Sequence, residues 1–385
     1  MSPPVSYILA DSGAFTLVAV LTEALRRLAL RCRLVDGPGK GKAHAVPTPY
    51  LGGVAIASGS LTAAAIAGPP SDTRVLALIA GGIMMAILGL ADDIWRLGVL
   101  PRLAAECMVA SVVIIFGVRA DVFGDVLHLG IWPDNVVALL WMVVITNSFN
   151  LLDNSDGAAT GIAMMTAAAL TVLAFAVGSA SMELIELAVS AGCAGFLVHN
   201  WAPARIFMGD SGSLFLGFTI SASALLIVGS PGLPSAGSPI SRMCALLLLA
   251  FVAIVDTSTV LLSRYRSGLP LLTGGTDHLA HRLRALGLGR SQSALLLSAA
   301  ATLSCSAAIL VIFKVLPAIG TLATTLAAAI ALMALAQRVR VYHRISSVTP
   351  TAARIGLEAW TEAAASFVKS ESGGLGDRPP ARTTP

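Results

Sequence analysis

The sequence has few charged side chains. Asp, Glu, Lys and Arg make up 12% of its 385 residues, whereas hydrophobic residues make up 56%, and the mean hydropathy is +0.83. Soluble globular domains carry about 25% charged residues, so this composition excludes a chain of water-soluble domains. The net charge is only +4, and we expect no nucleic-acid partner. Most of the chain must lie in an apolar environment.

Three further features are absent. No CxxC spacing occurs, and most of the five cysteines lie inside apolar stretches, which favours packing roles over disulfides or metal ligands. Met1 to Ala10 shows no basic region before a short apolar core and a cleavage site, so we expect the first apolar segment to remain as a transmembrane helix. The sequence also shows no convincing internal repeat.

Apolar runs of about 20 residues recur along most of the chain, and each can cross a hydrocarbon core about 30 Å thick. We predict an all-α, polytopic transmembrane bundle with about eleven spans, near residues 6–27, 50–68, 75–92, 102–118, 134–152, 158–178, 183–201, 211–229, 241–263, 292–313 and 316–337. Residues 1–344 would form one membrane domain. Residues 345–385, rich in Ser, Thr, Pro, Gly and Glu, would form a flexible cytoplasmic tail.

The distribution of Lys and Arg predicts the orientation of this bundle. All but four of the 25 basic residues fall in one alternate set of loops, and the exceptions are Arg74, Arg119, Arg242 and Lys314. The positive-inside rule places the basic set in the cytoplasm and the N-terminus outside.

Acidic side chains gather in the same set of loops. Asp92 and Asp93 end the third span, Asp153 and Asp156 follow the fifth, and Asp210 precedes the eighth. Carboxylates brought together protonate unless a cation binds, and oxygen-only ligands favour Mg²⁺ or Mn²⁺. Capping of its own helix would explain Asp210 alone, but the macrodipole disfavours anions at a helix C-terminus, where Asp92 and Asp93 lie. The sequence therefore predicts magnesium-dependent phosphoryl transfer at the cytoplasmic face.

Two segments offer partners for phosphate. Near Asp210, backbone N–H groups at a helix N-terminus would come from Gly209, Ser211, Gly212 and Ser213. The segment GGTDHLAHRLRALG places His278 and His281 three residues apart with Arg282 adjacent. On a helical turn this spacing favours phosphate binding or proton transfer.

The loop after the first span carries a third group of polar residues. Lys40, Lys42 and His44 precede Pro47-Thr48-Pro49 and the Gly52-Gly53 pair. The prolines favour an extended segment, and the glycine pair allows close backbone packing. A lipid-headgroup anchor and a substrate-binding role for His44 both fit this pattern.

The motifs PTPYLGG, GLADD, NSFNLLDNSDG, HNWAPARIFMGDSGSLFLG and DHLAHRL, in this order, resemble the polyprenyl-phosphate N-acetylhexosamine-1-phosphate transferase family, also called glycosyltransferase family 4. The resemblance extends from about Leu34 to Leu286. It implies that a UDP-sugar, by default UDP-N-acetylglucosamine, donates its sugar-1-phosphate to undecaprenyl or decaprenyl phosphate. The products would be a polyprenyl diphosphate-sugar and UMP, at the cytoplasmic leaflet of a bacterial cell membrane, as the first membrane step of cell-envelope polysaccharide synthesis. The assembly could be a homodimer.

The resemblance also implies roles for individual residues. Asp92 and Asp93 match the acidic pair that activates the lipid phosphate, and Asp210 matches the residue associated with Mg²⁺. A loop shared between metal and nucleoside recognition is matched by Asn147, Asn150, Asp153 and Asp156, with Asn150 as a further metal ligand. Asn200 matches a uracil-side contact, and the loop near the diphosphate is matched by His278, His281 and Arg282. Asp256 matches an acidic position whose role is less clear.

Three departures from the family pattern bear on donor choice. Ala280 stands where the His motif usually has an imidazole, Asn154 replaces the first glycine of DGxDG, and Tyr50 lies where a basic residue is often found. They argue against the phospho-MurNAc-pentapeptide translocase branch, although UDP-MurNAc-pentapeptide and other UDP-N-acetylhexosamines remain alternative donors. From other classes, an inactive binding or resistance homologue and a secondary transporter are also alternatives. Transporters typically have internal repeats and mid-membrane broken helices, whereas the acidic residues here cluster at one edge of the membrane.

Overall fold

The computed structural model describes residues 3–37, 47–122, 130–235, 238–271 and 275–339. Most of this part of the chain is helical, which confirms the all-α prediction. A π-helical turn, Leu9–Gly13, joins α1 (Pro3–Ile8) to α2 (Ala14–Cys32). The helices that follow are α3 (Gly52–Ala67), α4 (Thr73–Trp95), α5 (Val99–Ile115), α6 (Trp132–Leu152), α7 (Ala158–Ala176), α8 (Ala180–Asn200), α9 (Gly209–Val228), α10 (Pro239–Leu249), α11 (Phe251–Ser267), α12 (Leu279–Ala285), α13 (Arg290–Ile312) and α14 (Ala318–Arg338). The predicted tail, 345–385, lies outside the described residues.

In the described part of the chain, eight helices are long and apolar enough to cross a membrane. The pair α10 and α11 meets the same criteria together and is bent by 67°. Helices α3, with 16 residues, and α5, with 17, occupy the other two predicted segments. Each predicted span thus coincides with a helix or with the bent pair. The protein is a multi-pass membrane protein, and eleven crossings remain a prediction.

Helix α9 is the centre of the bundle. Its side chains are buried without interruption from Ser211 to Val228. It packs against α3, α4, α6 and α7. A helix that is apolar on every side is suited to this position, because it meets protein all round instead of lipid or water.

Two glycines allow the start of α9 to contact its neighbours at backbone distance. A Cβ atom at Gly53 in α3 would overlap the backbone of Gly212, and one at Gly89 in α4 would overlap the carbonyl of Asp210. Small residues permit such close packing between membrane helices. The start of α9 is therefore held between α3 and α4.

A short two-stranded ladder attaches the loop after α2 to this region. Strand β1 (Val35–Asp36) pairs antiparallel with β2 (Thr48–Pro49), so the segment between the two prolines is extended, as expected. The amide of Phe207 donates to the carbonyl of Pro49 at 2.8 Å, and the amide of Gly53 donates to the carbonyl of Met208 at 2.8 Å. These bonds fix the chain just before α9.

The helix ends that carry the predicted acidic residues lie at one end of the bundle. The C-terminal ends of α4, α6 and α8 meet the N-terminal end of α9 around a common cavity. The loops at this end belong to the set that is rich in Lys and Arg.

Replacing Gly89 with Ala should destabilise the protein. The added methyl group would overlap the Asp210 carbonyl, and overpacking of this kind costs about 1–3 kcal/mol. We expect a lower midpoint of thermal unfolding, measured on detergent-solubilised protein by size-exclusion chromatography after heating. Gly320→Ala is the matched control, since its Cβ would meet only an ordinary contact with Pro317. Equal midpoints for both variants would contradict this account of the α4–α9 contact.

Candidate active site

A cavity of about 590 Å³ opens at the acidic end of the bundle. All five aspartates singled out from the sequence line it, together with fourteen further residues: Val35, Asp36, Tyr50, Ile94, Arg96, Leu97, Asn154, Ser155, Asn200, Phe207, Gly209, Gly275, Thr276 and His281. The structure therefore brings together the acids of three separate loops. It adds a sixth carboxylate, that of Asp36.

The carboxylate of Asp93 joins the end of α4 to the start of α9. Its Oδ1 accepts a hydrogen bond from the Asp210 amide at 2.9 Å, and its Oδ2 accepts one from the Ser211 amide at 3.1 Å. The positive end of the α9 macrodipole stabilises this anion. The prediction that Asp93 does not cap a helix is therefore wrong. Asp93 does not cap α4, which carries it, but it caps α9. The α9 terminus is capped by Asp93 and not by Asp210.

The same two bonds leave fewer amides at the α9 N-terminus for binding a phosphate than the sequence predicted. Two of its first amides are already engaged by Asp93, and Ser211, Gly212 and Ser213 are buried. These groups fix the helix start, and of this set only Gly209 lines the cavity.

Asp92 belongs to a buried network of charges. Its Oδ1 accepts from the Leu97 amide at 2.7 Å, and its Oδ2 accepts from Arg102 at 2.8 Å. The guanidinium of Arg102 also lies 3.4 Å from Glu106 and 3.6 Å from Asp210. One arginine thus partly neutralises three carboxylates, which lowers the cost of burying them together.

Two asparagines of α6 support this network. Asn150 donates to Asp210 Oδ1 at 2.7 Å and to Ser213 Oγ at 3.0 Å, so its amide nitrogen fixes the orientation of the Asp210 carboxylate. Asn147 donates to Glu106. Neither asparagine is among the cavity-lining residues. The structure places both behind the carboxylates that they contact, Glu106 and Asp210.

Asp153 is the least compensated carboxylate of the cavity. Its side chain makes no hydrogen bond with any described residue. Burial, together with the charges of Asp210, Asp93 and Asp156, raises the pKa of Asp153 to about 8. A cation in the cavity would relieve this repulsion.

Asp156 and Asn200 hold the cavity loops in place. Asp156 accepts from the Ala204 amide at 3.3 Å and from Arg290 at 3.2 Å. Asn200 accepts from the Gly157 amide at 3.0 Å and donates to the Ile206 carbonyl at 3.0 Å. Both residues line the cavity, but these polar atoms already have protein partners.

Asp256 fixes the segment that carries His278 and His281, here called the His segment. Its Oδ2 lies 2.8 Å from Nδ1 of His278, and its Oδ1 accepts from the Leu279 amide at 2.6 Å. His278 is only 2% exposed and does not line the cavity. Asp256 and His278 therefore position the segment, which gives Asp256 the role that the sequence left open.

His281 is the imidazole that reaches the cavity. Burial and the neighbouring His278 and Arg284 lower the pKa of His281 to about 4. Its ring is thus neutral near pH 7. It can donate or accept one hydrogen bond at a phosphate, but it cannot serve as a cation.

The structure does not bring Arg282 to the cavity. This residue is 3% exposed, and its guanidinium donates to the carbonyls of Asp277 and Val339, the carbonyl of Ala336 and the hydroxyl of Ser263. It ties the His segment to the end of α14. Ala280 is likewise 3% exposed, so an imidazole there would face the protein interior.

Sequence reasoning missed Arg102 and Glu106 as members of the site. Their spacing of four residues inside an apolar segment was a usable signal, because ionisable residues in a membrane span are costly and usually functional. Arg264 and Asp277, paired at 3.0 Å beneath the His segment, were also overlooked. His44, the remaining candidate, lies outside the described residues.

Taken together, these contacts define an anionic cavity at the membrane edge, with fixed carboxylates, one neutral imidazole and a partly buried arginine behind them. Such a cavity suits substrates whose phosphate groups arrive with a divalent cation.

Comparison with known proteins agrees with this geometry. The model of glycosyl transferase family 4 matches residues 75–228. A probable undecaprenyl-phosphate N-acetylglucosaminyl 1-phosphate transferase from Bacillus subtilis is 32% identical over 285 residues, covering 73% of this chain and 78% of the relative. A decaprenyl-phosphate N-acetylglucosaminephosphotransferase from Mycolicibacterium smegmatis is 32% identical over 306 residues, covering 72% and 75%.

A phospho-N-acetylmuramoyl-pentapeptide-transferase from Moorella thermoacetica is 34% identical but matches only 50% of this chain. The family match covers α4 to α9, the helices whose ends build most of the acidic cavity, and confirms the resemblance read from the motifs. The chain is a transferase that belongs to glycosyl transferase family 4.

Proposed function

We propose that the protein transfers N-acetylglucosamine-1-phosphate from UDP-N-acetylglucosamine to polyprenyl phosphate and releases UMP. The observation that carries this proposal is the convergence of five aspartates from three loops on one cavity at a membrane edge. The names of the Bacillus and Mycolicibacterium relatives support the sugar and the lipid acceptor. The longer match to these relatives than to the pentapeptide transferase supports the same donor.

The reaction joins two anions. An oxygen of the lipid phosphate attacks the β-phosphorus of the donor, the bond from that phosphorus to the bridging oxygen breaks, and UMP leaves with that oxygen. We propose that Asp93 faces the attacking phosphate and accepts its proton when the phosphate is monoanionic. Asp92 is only 7% exposed and already binds Arg102, so it would hold the network in place.

The donor atoms of the cavity fit a magnesium ion. Among the described side chains, no three acidic, histidine or cysteine groups already form a cage. Mg²⁺ usually keeps several waters and binds through one or two carboxylates plus substrate phosphates, so a full cage is not needed. We propose Asp210, oriented by Asn150, and Asp153 as the residues that would hold it. When bound, the ion would offset the charge of the phosphate oxygens.

The remaining cavity residues would orient the substrates. A neutral His281 would give a hydrogen bond to the donor diphosphate. Asn200 and Asp156 would shape the nucleoside side through the loops they fix, since the Asn200 amide and Oδ2 of Asp156 already have protein partners.

We place the cavity on the cytoplasmic face of a bacterial cell membrane. The loops around it carry most of the Lys and Arg residues, and such loops remain in the cytoplasm. A UDP-sugar made in the cytosol would then reach the cavity directly.

The direct test is UMP release by purified protein with undecaprenyl phosphate, Mg²⁺ and a panel of UDP-sugars. UDP-N-acetylglucosamine should give the highest kcat/KM, and no UMP should appear without the lipid phosphate. Highest activity with UDP-MurNAc-pentapeptide would replace the donor. Proton-coupled uptake into proteoliposomes, without UMP release from any donor, would contradict a transferase and favour a transporter.

Replacing Asp93 with Asn should lower kcat at least about a hundredfold, a typical loss for a general base. Asp92→Asn should also reduce turnover, because Arg102 would lose its closest partner. Asp72→Asn is the matched control, since Asp72 caps the opposite end of the same helix by accepting from the Arg74 amide at 2.8 Å. Near-wild-type turnover in both Asp92 and Asp93 variants would rule out the acidic pair.

Chelation should stop the reaction. EDTA is expected to abolish UMP release, and added Mg²⁺ should restore it. Asp210→Asn and Asp153→Asn should each raise the Mg²⁺ concentration needed for half-maximal turnover by about tenfold or more, because one charged ligand is lost. Undiminished turnover in EDTA, or unchanged Mg²⁺ dependence in both variants, would contradict the metal assignment.

A further inference from the structure

Arg96 lies in the cavity but takes no part in the proposed proton transfer or magnesium binding. Among the described residues lining the cavity, it is the one Lys or Arg side chain, and six aspartates line the same space. Arg102 contributes its charge from behind the cavity wall, in contact with Asp92 and Glu106. Arg96, by contrast, makes no side-chain hydrogen bond or ion pair with any described residue.

The backbone turn that carries Arg96 is held by Asp92. Arg96 ends α4 in the left-handed conformation, with φ 51° and ψ 66°. Its amide donates to the Asp92 carbonyl at 2.7 Å, and the next amide, of Leu97, donates to Asp92 Oδ1 at 2.7 Å. An L residue rarely adopts this conformation. The turn therefore fixes the backbone from which the Arg96 side chain extends beside the carboxylates.

The Arg96 charge and the Asp93 charge both act on Tyr50. Burial raises the pKa of the Tyr50 phenol, the Asp93 carboxylate adds to this rise, and the Arg96 guanidinium opposes it. Tyr50 and Arg96 both line the cavity. A phosphate placed between Arg96 and Asp93 would thus lie close to the proposed base.

Exposed apolar side chains lie close to Arg96 in the chain. Trp95 is 73% exposed and Leu100 is 68% exposed, and Ile94 is also exposed. They lie where α4 ends and α5 begins, at the membrane edge, and Trp is enriched at this depth of a bilayer. Arg96 thus lines the acidic cavity and is followed and preceded in the chain by exposed apolar side chains.

We propose that Arg96 is a substrate-binding residue that receives the phosphate headgroup of the polyprenyl phosphate acceptor, whose chain leaves along the exposed apolar side chains of Trp95 and Leu100. This inference rests on the proposed function and adds to it the entry side of the lipid. The acceptor suits this position better than the donor, because only the acceptor joins a phosphate to a long apolar chain.

Steady-state kinetics of Arg96→Gln in phosphatidylcholine vesicles with Mg²⁺ test the assignment. The KM for polyprenyl phosphate should rise on the order of tenfold, as expected for one lost charge-assisted contact. The KM for the UDP-sugar should change less than about twofold on the same scale. Arg96→Lys should retain most of the affinity. Arg33→Gln is the matched control, since Arg33 is also an exposed, left-handed residue at a helix end, with φ 58°, and does not line the cavity.

A binding experiment without donor separates this inference from the proposed reaction. Wild-type protein should retain polyprenyl phosphate more strongly than the uncharged polyprenol, and Arg96→Gln should lose this preference. Moving the charge across the cavity, in Tyr50→Arg combined with Arg96→Gln, should restore part of it.

Each outcome decides one of the two claims. Normal discrimination between polyprenyl phosphate and polyprenol by Arg96→Gln would overturn the assignment. So would a raised KM for the UDP-sugar with an unchanged KM for the lipid, which would place Arg96 at the donor. Wild-type binding of polyprenyl phosphate without UMP release from any donor would instead contradict the proposed reaction and leave the role of Arg96 supported.

Discussion

The candidate site depends on the contact between the Asp93 carboxylate and the first amides of α9. At the C-terminal end of α4, this anion would be disfavoured by the dipole of its own helix. The N–H groups of Asp210 and Ser211 give it two charge-assisted hydrogen bonds and the positive end of a second dipole. The contact stabilises a buried charge and also sets the distance between the acidic pair and Asp210. Both effects need the backbones to lie close together, which Gly53 and Gly89 permit.

Around this contact, the partly buried Arg102 and the buried Arg264 compensate much of the remaining charge. Arg102 contacts Asp92, Glu106 and Asp210, and Arg264 pairs with Asp277 beneath the His segment. Removing one partner of such a pair leaves an uncompensated buried charge, which is costly. The compensation is incomplete at Asp153, at the cavity wall, where the pKa is raised. The arginines thus allow several carboxylates to lie close together in the folded protein. The carboxylate that they leave uncompensated would still attract a cation that accompanies phosphates.

The His segment illustrates a division between residues that reach the substrate and residues that hold others in place. His281 lines the cavity, whereas Asp256 and His278 fix the segment from the protein side. Arg282 links the segment to the carbonyl groups at the end of α14. A peripheral helix is thereby connected to the cavity by a single buried guanidinium. Motif matching assigns these neighbours to one function, but burial and hydrogen bonding give them different ones.

The sequence alone was sufficient for the class of fold, the location of the helices and the identity of the five aspartates. Hydrophobic length specifies membrane helices because unpaired backbone groups are too costly in lipid, and alternation of loops follows from it. Asp residues at the ends of apolar runs stand out for the same reason. Only the tertiary structure decided which of them cap, pair or remain open. Asp93 caps a helix that begins 116 residues later in the chain, at Gly209, and Arg282 turns away from the cavity although it adjoins His281. Such partners depend on how distant helices pack, and local spacing carries no information about them.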